Sequence, residues 1–139
     1  MVMDQQGQIS IEFVLVIALM AVIVIAVGSY VGDANEKNVI SAAARSGADN
    51  ATTALALLNV GTAAARVTDV NTTATGTNVT ILIDISRPLS NDQIQNITNS
   101  TLSSIAALGY TRINSTNPDT NPSTDYIRTG RHIYYVQII

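Results

Sequence analysis

A run of apolar residues near the N-terminus constrains this chain more than any other feature. Phe13 to Val27 contains no polar side chain, and the stretch from Ile9 to Val31 is broken only by Ser10, Glu12, Gly28 and Ser29. Its roughly 23 residues, at about 1.5 Å rise each, give about 35 Å of helix, enough to cross a hydrocarbon core of about 30 Å. One carboxylate, Glu12, stands at the mouth of that helix. A carboxylate costs a few kcal/mol deep in lipid and less near the interface, so its placement implies a partner.

Cleavage between Gly7 and Gln8 would supply one. Gln8 would gain a free α-amino group, and Glu12 would become the fifth residue of the shortened chain. A carboxylate one helical turn from that amine, or facing the amine of a neighbouring copy, is neutralised without water.

Gly7 followed by Gln8-Ile9-Ser10-Ile11-Glu12-Phe13 resembles the class III signal peptide of archaeal type IV pilin-like proteins. Their pattern is a short leader, a glycine before the cut, and Q-x-S-x-E opening the hydrophobic helix. The match covers about the first 30 residues. By this resemblance residues 1–7 are a cleavable leader, Gly7 precedes the cut, Gln8 is the mature N-terminus, and Glu12 and Phe13 open the assembly helix. The partners it implies are a prepilin-peptidase-like processing enzyme, membrane lipid before assembly, and other pilin subunits in a homo- or hetero-polymer. Met1 to Gly7 contains Asp4 and no Lys or Arg, unlike the basic leaders common in such proteins, and Met3 is an alternative start. The other readings of this segment are an ordinary signal anchor, or a secretory signal cut near Ala26 to Ser29.

In a chain of 139 residues, an N-terminal helix of roughly 40 to 50 residues leaves about 80 for one globular head. Formal net charge is −3 with no run of Lys or Arg, which argues against nucleic acid as a partner. Cysteine is absent, so a small head must rest on packing and subunit contacts. The abundance of Thr, Asn, Ser and Ala suits an exposed, uncharged surface.

Helical periodicity continues past the apolar run. Ile40, Ala44, Gly47, Ala51, Leu55 and Leu58 recur at three- and four-residue spacing, which predicts one helix over about 8–59 whose first half spans the membrane or lies in a filament core. Small residues such as Ala42 to Ala44 and Gly47 permit close approach of another element. Gly28 and Gly32 are the expected weak points of the helix.

From Ala65 the period changes to two. Ala65 to Thr72 reads as a weak strand, Thr73 to Gly76 as a turn, and Val79, Ile81, Ile83 and Ile85 as the buried positions of a strong strand. Ser90 and Gln93 have capping-box spacing, and open a helix ending before Gly109 with Ile94, Ile97, Thr101, Ile105 and Leu108 inward. Tyr110 to Asn114 and Asp125 to Ile139 read as further strands around an exposed Pro- and Asn-rich loop, Ser115 to Thr124, with a turn or bulge at Gly130. The expected fold is α+β: a long N-terminal hydrophobic helix packed on a small antiparallel-sheet head, residues 60–139, with one further helix.

Six N-x-S/T sequons occur, at Asn50, Asn71, Asn78, Asn96, Asn99 and Asn114, whereas Pro122 disqualifies Asn121. Composition alone would give about two. Asn96 and Asn99 lie opposite the apolar face of their helix and Asn78 on the polar side of its strand, so N-glycosylation there would not disturb a core. Asp119, Asn121, Ser123 and Asp125 share the opening spacing of a calcium loop, but Thr124 stands where glycine is required and Gly130 where a bidentate acid is required. His132, the one histidine, reads as a packing residue. No nucleophile elbow, phosphate loop or zinc-protease motif is present, so neither catalysis, metal nor cofactor is expected.

The functional expectation is therefore a type IV pilin-like structural subunit, processed after Gly7 and polymerised into a surface filament, with adhesion as one use. A signal-anchored monomeric envelope-binding module is the alternative.

Overall fold

The computed structural model describes the backbone of residues 5–58, 63–114 and 125–139, and side chains from residue 11 onward within them. The elements are α1 (Gln5–Leu58), β1 (Val67–Thr75), β2 (Asn78–Ile85), α2 (Asn91–Ala106), β3 (Thr111–Ile113), β4 (Tyr126–Arg128) and β5 (Ile133–Ile138). They divide into two compact units, Met1–Lys37 and Asn38–Ile139.

The first unit is the apolar part of α1. Gly28 and Gly32 do not interrupt it, although glycine is a weak helix former: both lie well inside the continuous helix rather than at an end. A side chain at Gly28 would meet nothing within 4 Å, so the glycine answers no packing demand inside this unit. Asp33 and Lys37 close a bridge of 2.8 Å at helical i,i+4 spacing.

The second unit is α+β, as expected: the later part of α1 and all of α2 lie on one face of a five-stranded sheet of order β1-β2-β5-β4-β3. Three of its four pairings are antiparallel; β2 and β5 are parallel. A parallel neighbour needs a crossover, and the segment from α2 through β4 provides it. Ile40, Ala44, Ala48 and Leu55 of α1 meet Ile97, Leu102 and Ile105 of α2 over Val79, Ile81, Ile83, Ile127 and Tyr134. Each large apolar side chain so buried contributes about 1.5–3 kcal/mol.

The local signals act much as the sequence implies, with three shifts. Gly76, at φ 63°, opens a two-residue turn that lets β1 continue to Thr75, so the ladder is longer and the turn later than expected. Ser90 caps α2 in a full capping box: the Gln93 backbone N–H donates to Ser90 Oγ at 3.4 Å, and the Ser90 N–H to Gln93 Oε1 at 3.2 Å. Leu102, rather than Leu108, completes the buried face of α2, because the helix ends at Ala106 and Gly109 turns the chain away at φ 96°. Leu58 is 80% exposed at the last residue of α1, while Ala48 and Thr52 are buried in the stripe instead. Buried Thr52 and Thr101 satisfy their hydroxyls on the carbonyls of Asp49 and Ile97 at 3.0 and 2.8 Å.

Asn59 and the Ser115–Thr124 loop, with Asp119, Asn121 and Ser123, lie outside the described residues.

Candidate functional site

Two surfaces carry the candidate residues, one in each unit. In the first, every side chain from Ile11 to Val31 is exposed, Phe13 to 65% and Ile25 to 69%. The helix is apolar around its whole circumference, a pattern found where a helix is surrounded by lipid or by other helices. It is long and apolar enough to cross a membrane. Leaving so many large side chains in water would forfeit about 1.5–3 kcal/mol for each. Glu12 is exposed within this surface and is the one charged side chain between Ile11 and Gly32. Gly7 and Gln8 belong to the backbone of α1.

The second surface is the face of the sheet opposite the helices. Pairing registers place its side chains in rows across the strands. One row runs Thr73, Thr80, Tyr135, Tyr126, Ile113; the next runs Thr75, Asn78, Ile133, Arg128, Thr111. Asn71, Leu82 and Gln137 flank the first row on its other side. Both described helices of this unit lie on the opposite face. Tyr126 and Tyr135 are neighbours here, ring centroids 5.6 Å apart and planes inclined at 46°. Around them the face carries hydroxyls and amides together with Ile113, Ile133, Leu82 and one charged group in these rows, Arg128.

Strand parity along β5 shows that Tyr134 and Tyr135 point to opposite faces, but only the strand order brings Tyr135 beside Tyr126. That neighbourhood is what the sequence reading missed.

The sequons fall on different parts of this unit. Asn50 is exposed on α1, Asn71 on β1, Asn78 at the start of β2, Asn96 and Asn99 on α2, and Asn114 after β3. Glycan transfer needs both the Asn amide and the hydroxyl two residues on. Thr73 is exposed and Thr80 and Thr98 are half-buried, so Asn71, Asn78 and Asn96 present both groups in the folded head. Thr52 and Thr101 are buried and bonded to carbonyls, so Asn50 and Asn99 do not. The hydroxyl residue of the Asn114 sequon lies outside the described residues. Asn71 Nδ2 donates to Asp69 Oδ2 at 2.7 Å.

Asn99 has a further role. Its Oδ1 accepts from Arg112 Nη2 at 2.6 Å, and the same nitrogen reaches Asp125 Oδ2 at 2.6 Å while Nη1 reaches Ser103 Oγ at 3.3 Å. Arg112 thus ties α2 and β3 to the residue that leads into β4. Asp125, whose calcium-loop spacing the sequence itself disqualified, is here an ion-pair partner.

His132 packs edge-on against Tyr134 at 5.9 Å, in keeping with a packing role. No group of three metal-ligating side chains occurs among the described residues. An open groove of about 480 Å³ beside Leu89 and Ile139 has Arg87 as its one charged lining residue.

Set against family models, curated proteins and solved structures, the chain matches none.

Proposed function

We propose that this chain is a type IV pilin-like structural subunit, processed after Gly7 by a prepilin-peptidase-like enzyme and polymerised through its N-terminal helix into a surface filament. One observation carries the reading: a helix apolar on all sides with a single carboxylate, Glu12, near its start. Lipid alone would accept the apolar surface but gives no use for the acid. A neighbouring copy accepts both, the apolar surface in a helical bundle and the carboxylate on a free Gln8 amine. Before assembly the same helix holds the subunit in the membrane.

The head forms the outer surface of the filament. Its hydroxyl- and amide-rich character suits N-glycosylation and adhesion, with Asn71, Asn78 and Asn96 as the sequons open to modification after folding.

The open sheet face, with Tyr126 beside Tyr135, favours a second reading in which the head is a monomeric envelope-binding module on an uncleaved anchor. N-terminal sequencing of the exported protein separates the two. Processing as proposed yields a chain beginning at Gln8, whereas an intact leader or a start near Ser29 defeats the pilin reading.

A further inference from the structure

We propose that the open face of the sheet is a carbohydrate-packing surface, and that its occupant is the N-glycan carried by Asn78 of the same chain. The proposal rests on the glycosylation reading above and adds where the sugar goes.

Asn78 is exposed and stands on this face, in the row next to the one that holds both tyrosines. Thr80, two residues further along β2, pairs with Tyr135. From Asn78 to Tyr135 is therefore one strand spacing sideways and two residues along, about 8 Å between Cα atoms for standard sheet dimensions. The first sugars of a glycan on Asn78 Nδ2 reach that ring.

The surface chemistry fits such a guest. A pyranose ring has one face of C–H groups, which packs on an aromatic ring, and a rim of hydroxyls that need hydrogen-bond partners. Tyr135 and Tyr126 supply a two-ring platform, half-buried and so held in place by their neighbours. Thr73, Thr80 and Gln137 border it with hydroxyl and amide groups. The tyrosine row itself carries no charge; Arg128, exposed in the neighbouring row, is a further donor for the sugar hydroxyls.

Attachment decides the source. Among the described residues no enclosed cavity surrounds the tyrosine pair, and a free saccharide on an open surface would bury too little of itself to bind well. A tethered glycan meets the same surface as an intramolecular partner at high effective concentration, so weak stacking suffices.

The test uses full-length protein from the native host in detergent. Glycopeptide mapping first establishes whether Asn78 is modified. Nitration of individual tyrosines is then compared between wild type and Asn78→Gln, with Thr80→Ala as a second change that removes the sequon but keeps the asparagine. Tyr135 and Tyr126 should react several-fold faster in both variants, with Tyr110 unchanged. Asn96→Gln, on α2 across the sheet, should leave all three rates alone. An unmodified Asn78 overturns the proposal together with the glycosylation of that site. A modified Asn78 with equally fast nitration in every form overturns the packing alone. Protection that persists in Asn78→Gln means another occupant, a free saccharide or a neighbouring subunit, and overturns the assignment to the chain's own glycan.

Discussion

Ser100 of α2 donates its hydroxyl to the backbone carbonyl of Gly47 on α1 at 2.9 Å, a contact between residues far apart in the chain. The approach is possible because residue 47 has no side chain. A Cβ there would lie 2.7 Å from Ser104 Oγ, 2.8 Å from Thr101 Cα and 2.9 Å from the Ser100 carbonyl oxygen. Two of those three atoms belong to backbone and cannot rotate away.

Gly47→Ala should therefore destabilise the head although alanine is the better helix former. Propensity favours alanine by about 1 kcal/mol, while overpacking against backbone costs about 1–3 kcal/mol. Contacts at 2.7–2.9 Å, two of them with backbone, put the cost at the top of that range, so a net loss of about 2 kcal/mol should appear in urea unfolding of the full chain in detergent, followed by tyrosine fluorescence. Ser100→Ala should lose only about 0.5–1.5 kcal/mol, since it removes one hydrogen bond and adds no clash. A Gly47→Ala chain as stable as wild type would refute the close crossing.

Glu12→Ala separates a polymerising subunit from a plain anchor. Without the carboxylate, insertion into the membrane becomes easier, but in the proposed filament a neighbouring Gln8 amine would be left buried without its counter-charge, at a cost of order 3 kcal/mol per contact. Membrane-bound subunit should persist while filament yield collapses, with cleavage after Gly7 checked separately. Abundant normal filaments from the mutant would remove the proposed pairing.

Arg112 should matter more than its place near the sheet edge implies. Its bridge to Asp125 is mostly shielded, with 24% and 16% of the two side chains exposed. Its loss should fall between the small value of an exposed pair and that of a buried one, about 2 kcal/mol. Arg112→Lys should recover little of this, because an ammonium lacks the planar fork that reaches Asn99, Ser103 and Asp125 together. Denaturation midpoints of Arg112→Ala and Arg112→Lys within experimental error of wild type would contradict the tie.

The sequons should sort by the hydroxyl two residues on. Folded, unglycosylated protein presented with the host's glycosylation machinery should accept glycans at Asn71, Asn78 and Asn96, and at Asn50 and Asn99 only after unfolding. Site mapping by mass spectrometry reads the result; efficient transfer to Asn99 in the folded chain would show that burial of Thr101 does not control it.

Much of the head was legible because its signals are local. The alternation of Val79, Ile81 and Ile83 identified β2 and its buried face, and Ser90 with Gln93 marked the start of α2, since each depends on neighbours a few residues away. Strand order does not. The parallel pairing of β2 with β5 depends on how the chain returns after α2, and the meeting of Tyr126 with Tyr135 follows from that order alone. Gly47 was legible as a small residue in a stripe, but nothing in its spacing said which element would cross it. Leu58 and Leu108 kept the helical period past the point where each helix has something to pack on, so periodicity overran burial at both ends.

The sheet order has a consequence for when the head can form as the chain emerges. β5, the last strand in chain order, lies between β2 and β4 and, among the described strands, is what joins the β1–β2 hairpin to the β3–β4 pair. Until residues 133–138 have emerged, the emerging chain holds two separate hairpins, each marginal by itself in water. The head therefore closes only when its last strand is in place. A chain stopped before Ile133 should be lost to proteolysis rather than persist as a partial head.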